Sequence, residues 1–197
     1  VKLEKGMNYT EDRVFEGNRF AEGIFEKGDY ELCTFRQCDF SGADLSDSGF
    51  TDCVFIDCNL SLVKLINTAF RDTEFRGCKM LGLYFESCNA FGLSFSFDHC
   101  QLNNSSFYQT KIKNIRFRNS QLQETDFTEC DLTGAVFDTC DLTNAVFDNT
   151  ILIKADFRSS HNYSIDPERN RVKKALFSLA GLPGLVDKYD IIIENGS

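Results

Sequence analysis

The residues able to do chemistry in this chain are nine cysteines (Cys33, Cys38, Cys53, Cys58, Cys78, Cys88, Cys100, Cys130 and Cys140), two histidines (His99 and His161) and 30 carboxylates. Thiolates with imidazoles could hold a transition metal, paired thiols could run redox chemistry, and paired carboxylates could move protons. Their spacing argues against each. No Cys-x-x-Cys pair occurs, so structural zinc spacing is absent. His99 directly precedes Cys100, and neighbouring residues of an extended chain point to opposite faces, so the two cannot share an ion. Every cysteine stands two places before the centre of a repeating unit, in a slot that Ser, Thr and Ala also take. That is the behaviour of a small buried residue. Five of them (Cys38, Cys58, Cys78, Cys100 and Cys140) fall in one column with Ser120, where strand spacing of ~4.8 Å exceeds the usual ~3.5–4.5 Å between disulfide Cβ atoms. No P-loop, GxGxxG, GxSxG or HExxH is present. The expectation is a protein without catalytic residues, cofactor or metal.

The repeating unit itself is five residues long. In TFRQCDFSGADLSDSGFTDCVFIDCNL the large apolar residues are Phe35, Phe40, Leu45, Phe50, Phe55 and Leu60. A strand repeats every two residues and a helix every 3.6, so a period of five belongs to neither. It runs from Phe15 to Phe85, has one small centre at Ala90, resumes at Phe95, slips by two at Ser96-Phe97, and continues from Leu102 to Phe157. In an extended segment residues i and i−2 share a side, so each pentapeptide sends one large and one small side chain inward. The chain must then bend, which makes a polygonal coil. Every fourth centre is Phe (Phe15, Phe35, Phe55, Phe75, Phe95, Phe117, Phe137 and Phe157), so four sides close one turn and stacked neighbours are 20 residues apart. Val172 and Phe177 keep the register. Such internal repetition means a solenoid whose coils are stable only against their neighbours.

The stretches SGADLS, TGAVFDTCDLTNAVF and IKADF resemble the A(D/N)Lxx signature of the pentapeptide-repeat family. The resemblance implies an all-β fold, a right-handed quadrilateral β-helix of about the width and pitch of B-DNA. Here it would have about seven coils, with a short C-terminal helix and strand. The expected organisation is an N-terminal cap over 1–12, the coil over 13–158 with its slip near 96–97, and a C-terminal cap over 159–197.

In that last segment Asp166-Pro167 marks a turn, RVKKALFSL rejoins the repeat, GLPGLVDKY reads as a short helix, and DIIIE reads as an apolar strand. The order resembles the C-termini of the microcin immunity protein and of the quinolone-resistance (Qnr) proteins. The resemblance implies Ile165-Asp166-Pro167-Glu168 as the turn and a homodimer contact through Leu182, Leu185, Val186, Tyr189, Ile191, Ile192 and Ile193. It also implies DNA gyrase or topoisomerase IV as partner. The long projecting loops of several Qnr proteins are missing.

The net charge of −9 argues against direct nucleic-acid or anionic-membrane binding. No apolar run could span a bilayer, and VKLEKGMNYTEDR lacks a signal-peptide core, so the expected location is cytoplasmic. Outward carboxylates on a rigid rod would present an anionic array to a basic groove. The candidates are Glu124, Asp126, Glu129, Asp131, Asp138, Asp141, Asp148 and Asp156, interrupted by Lys111, Lys113, Arg116 and Arg118. The function expected is protein binding by an acidic, DNA-like surface. The alternatives are a scaffold for another partner and an acidic face kept only for solubility.

Overall fold

The computed structural model describes residues 8–21 and 25–193. Its strands are β1 (Asn8–Glu11), β2 (Val14–Glu16), β3 (Gly28–Glu31), β4 (Thr34–Arg36), β5 (Gly49–Thr51), β6 (Val54–Ile56), β7 (Ala69–Arg71), β8 (Thr73–Arg76), β9 (Phe95–Asp98), β10 (Arg116–Arg118) and β11 (Val136–Asp138). Two parallel sheets result, β1-β3-β5-β7 and β11-β10-β9-β8-β6-β4-β2. Single bridges such as Asp44↔Lys64, Asp39↔Asn59, Gln101↔Gln121 and Asp131↔Ile151 form the remaining ladders and extend the sheets' walls. The four walls of a square coil are therefore centred, in one turn, on Phe35, Phe40, Leu45 and Phe50. They are called here the first to fourth walls.

Most of the bends come from the position two beyond a centre, which adopts the left-handed conformation: Gln37, Asp47, Asp52, Asp57, Asn67, Asn104, Asn119 and Asn144, among others, have φ between +47° and +61°. Asn, Asp and Gly tolerate this region best, which is why they recur there. The position before the centre carries the companion device. Oδ1 of Asp39, Asp44 and Asn59 accepts the N–H two residues on, from Ser41 at 3.0 Å, Ser46 at 3.0 Å and Ser61 at 3.2 Å. The (D/N) of the signature thus closes the corner as an Asx turn.

Inside, phenylalanines stack along the first wall: Phe35 on Phe55 at 4.7 Å, Phe55 on Phe75 at 5.0 Å, Phe117 on Phe137 at 5.1 Å and Phe137 on Phe157 at 4.6 Å between centroids. Phe177 adds to the same pile, 5.4 Å from Phe157. All nine cysteines are free and buried. Their slot is a donor position as well as a small one. Sγ of Cys58, Cys78 and Cys100 donates to the carbonyls of Phe35, Phe55 and Phe75, each at 3.4 Å. Thr68, Thr73 and Thr150 hydroxyls do the same to Leu45, Phe50 and Phe127. Burial pushes the Cys53, Cys130 and Cys140 thiols up to about 12, so they remain protonated and unreactive near neutral pH.

The structure corrects three expectations. First, the two extra residues lie upstream of Ser96-Phe97. β8 and β9 pair Phe75 with Phe97 and Thr73 with Phe95, so Phe97 is the rung and Phe95 takes the inner slot beside it. His99, two beyond Phe97, has the corner φ of 54°. The insertion is spent between Asn89, whose N–H reaches the Thr68 carbonyl, and Ser94, whose N–H reaches that of Phe70. Ala90 and Phe95 both satisfy a count of five, so counting alone passes through the insertion unnoticed. Second, Asn8–Glu11 pairs with β3 in full coil register, so the coil begins inside the segment expected to be a cap; residues 1–7 of that segment lie outside the described residues. Third, the expected strand over 190–194 is not formed. Asp190 turns left-handed at φ 50°, and 191–193 pair with no strand; Glu194 lies outside the described residues. Asp190, in the left-handed conformation, turns the chain out of an extended run just where that strand would start.

Candidate interaction surface

The eight candidate carboxylates do not share one face. Asp138 and Asp156 stand on the first wall, Glu124 and Asp141 on the second, Asp126, Glu129 and Asp148 on the third, and Asp131 on the fourth, as their separate ladders show. Several have structural work. Asp126, Asp131, Asp141 and Asp156 each accept the N–H two residues on, from Thr128, Thr133, Thr143 and Arg158 at 2.8–3.2 Å. Burial pushes the Asp141 carboxyl up, but hydrogen bonds from Thr143, Asn162 and Gln123 outweigh it and hold it at about 2. Asp44 is likewise held at about 2, by Ser46 and then by Lys27. Glu124 and Glu129 occupy left-handed corners, both at φ 56°. Glu129 accepts from Gln109 at 2.8 Å, Asp138 from Ser159 at 2.8 Å, and Asp148 pairs with Arg169 at 2.7 Å.

The walls differ in charge. The first carries cross-strand and same-strand pairs, Arg118 with Asp98 at 3.1 Å and Arg158 with Asp156 at 2.7 Å. The third is the most acidic: Asp44, Asp47, Glu86, Asp126, Glu129 and Asp148 stand there, with Asp166 and Glu168 at its C-terminal end, although the rungs of Leu65 and Phe107 carry no carboxylate, and Lys64 and Arg169 are among its cations. The C-terminal half of the fourth is basic, with Lys111, Lys113, Lys154, Arg171, Lys173 and Lys174. Among the described residues, Asp131 is the one carboxylate of that stretch, and Lys113 pairs with it at 3.2 Å. Asp44, Asp47 and Glu86 were not among the sequence candidates. Reading every fourth pentapeptide for charge, as was done for Phe, would have found them.

The C-terminal segment lies across the end of the coil. Tyr163 turns its ring onto Phe157 and Phe177, at 5.6 and 5.7 Å. The Gly184 carbonyl accepts the Ile165 N–H at 2.8 Å. A Cβ on Gly184 would stand 2.1 Å from the Tyr163 carbonyl oxygen, so only glycine fits. Lys188 clamps the turn residues Asp166 and Glu168 at 2.8 and 2.6 Å, and the Tyr189 hydroxyl reaches Glu168 at 3.2 Å. The helix is a single turn, Pro183–Val186, between two 3₁₀ turns. Of the expected dimer residues, Leu185 packs on the core and Val186 is half-buried. Leu182, Tyr189, Ile191, Ile192 and Ile193 are exposed, Ile192 at 90%. Leu179, at 87%, joins them and was not singled out from sequence.

Among the described residues no group of three metal-ligating side chains comes together, and no helix is long and apolar enough to cross a membrane.

A family model described as a pentapeptide repeat region matches residues 29–96 and 83–157. Similar solved structures include a trypsin-treated variant of QnrB1, described as a plasmid-mediated fluoroquinolone resistance protein. It is 20% identical, covering 95% of this chain and 100% of that one, with a TM-score of 0.48. Another is HetL from the cyanobacterium Nostoc sp. strain PCC 7120, involved in heterocyst differentiation regulation, at 12% identity, 87% and 86% coverage and a TM-score of 0.49. A third is Rfr23 from the cyanobacterium Cyanothece 51142, at 20% identity, 55% and 89% coverage and a TM-score of 0.24. No curated protein sequence matches this chain.

Proposed function

Because the chain belongs to the pentapeptide-repeat family, we propose that it is a non-enzymatic, protein-binding rod that offers its third wall to the basic DNA-binding groove of a type II topoisomerase. The observation that carries this is the set of carboxylates from Asp44 to Asp148 on one wall, borne by the rungs of Leu45, Phe85, Phe127 and Phe147 and absent from those of Leu65 and Phe107, with successive rungs ~4.8 Å apart. Anionic charge on a rigid surface is complementary to a groove built for phosphates, and speeds encounter as well as fixing register. DNA gyrase and topoisomerase IV are the partners that the resemblance of the tail implies, with quinolone resistance or toxin immunity as the consequence.

The test is a supercoiling assay with purified gyrase, with and without a quinolone. The expected result is inhibition, or relief of poisoning, at micromolar protein, lost in the variant Asp47→Lys/Glu129→Lys. Both sites are left-handed corners, and Lys154 and Lys174 already occupy such corners here, so the variant should fold. No effect of the wild-type protein at that concentration would contradict the proposal.

The basic half of the fourth wall favours a second reading, a scaffold for an unrelated partner. A pull-down recovering such a protein and no topoisomerase would support it. In either case we propose that the exposed tail joins two copies, since Leu179, Leu182 and Ile191–Ile193 form an uncovered apolar strip. Ile192→Glu/Ile193→Glu should then halve the mass seen by light scattering, and an unchanged mass would remove the dimer.

A further inference from the structure

The chain leaves the fourth wall after Cys88. Between Asn89 and Ser94 the extra residues swing outward, and Phe91 is 81% exposed. Beside this stretch, between it and residues 108–111 of the next coil, is a cavity of about 520 Å³. Phe85, Cys88, Ala90 and Leu93 line one side, and Tyr108 to Lys111 the other, with Glu86 on the rim.

This opening is built. Asn89 bonds outward to Asn67 Oδ1 at 3.0 Å and accepts the Phe91 N–H at 2.9 Å. Ser94 Oγ donates to Asp72 at 2.9 Å. The detour is thus pinned at both ends to the rung below, and the cavity exists before any occupant arrives. Its volume falls in the range of small-molecule sites, roughly 300–1,000 Å³, and its walls are apolar with a few polar groups at the edge, as such sites are. Lys111 pairs with no carboxylate among the described residues, although every arginine of the first wall from Arg76 to Arg158 other than Arg116 is paired.

We propose that this cavity binds a flat aromatic anion of two or three rings, its rings between Ala90, Leu93 and Tyr108, its acidic group on Lys111 and a hydrogen-bond donor directed to Glu86. The two rim charges are opposite in sign and lie on adjacent walls. A ligand carrying both an anionic group and an N–H complements them together, and one carrying only rings leaves Lys111 without a counter-charge.

The probe is 1-anilinonaphthalene-8-sulfonate, which has fused rings, a sulfonate and an N–H, followed by fluorescence titration of the full chain. The tail could also attract it, so Ile192→Glu/Ile193→Glu serves as background. In that background saturable binding is expected. Lys111→Glu should weaken it at least tenfold, and Ala90→Trp, which fills the exposed mouth, should abolish it, both with unchanged melting temperatures. Binding that disappears with the tail substitutions, or that survives both cavity substitutions, would overturn the proposal, as would no saturation at millimolar probe.

Discussion

The first wall and the 85–94 stretch are made of similar residues and end in opposite states. On the first wall Phe15, Phe35, Phe55, Phe75, Phe97, Phe117 and Phe137 are each followed two places later by a residue that turns left-handed, so the next pentapeptide starts in register and the next Phe of the wall lands on the previous one. After Phe85 the corner is missing. Phe85–Ser87 tightens into a 3₁₀ turn, no left-handed residue follows until Gly92 at φ 68°, and the chain spends two residues outside the coil before Phe95. The 85–94 stretch thus lacks both the large centre, where Ala90 stands, and the left-handed corner, where Ser87 stands. Phe97 is 1% exposed and Phe91 81%, six residues apart in the sequence.

That contrast can be broken by substitution. Phe97→Ala should have the largest effect, about 3–5 kcal/mol in chemical denaturation, as expected of a fully buried ring; a wild-type midpoint would return Phe97 to the outside. Next comes Gly184→Ala at the coil end, where the added methyl meets the Tyr163 carbonyl. A loss of roughly 1–3 kcal/mol is expected, with faster proteolysis at the tail, and an unaltered melting curve would show that the segment is not seated there. Asp141→Ala removes a corner cap and should cost about 1 kcal/mol, whereas Asp141→Asn, which keeps the acceptor, should cost less. The pH dependence has a definite sign. The folded Asp141 carboxyl sits at about 2, below the unfolded value near 3.9, so its contribution is complete above about pH 4 and is lost as pH falls through 2. Asp141→Asn should flatten stability over that window, and a variant as acid-sensitive as wild type would assign the effect elsewhere. The smallest change belongs to Phe91→Ala, expected within about 0.5 kcal/mol of wild type.

Much of the coil was legible because its signal is simple: one large and one small inward residue per five, repeated until chance is excluded. The inward cysteines, the Phe ladder below Phe75 and above Phe117, and the return of Phe177 all follow from that count. What the count could not carry was conformation. Ala90 and Phe95 fit the period while standing outside or beside the ladder, and the decisive mark, His99 in a left-handed corner, is a residue type that rarely announces one. The candidate surface was less legible. Acidity was read along the sequence, where residues 119–156 look uniformly acidic, but a square coil sends consecutive pentapeptides to different walls. Asp131 and Asp141 are two pentapeptides apart and on opposite walls, whereas Asp47 and Glu129 share one. The tail's helix was visible in GLPGLVDKY; its missing strand was not, because an apolar DIIIE says only that a partner is wanted.

The central claim is that regular centres and corners make the rod and their absence makes the opening at 85–94. Native-state hydrogen exchange read by mass spectrometry tests it most directly. The account predicts that amides of Val54–Ile56, Arg116–Arg118 and Val136–Asp138 exchange only through unfolding of the coil, while those of 90–93 exchange orders of magnitude faster. Protection across 90–93 equal to that of Arg116–Arg118 would contradict it.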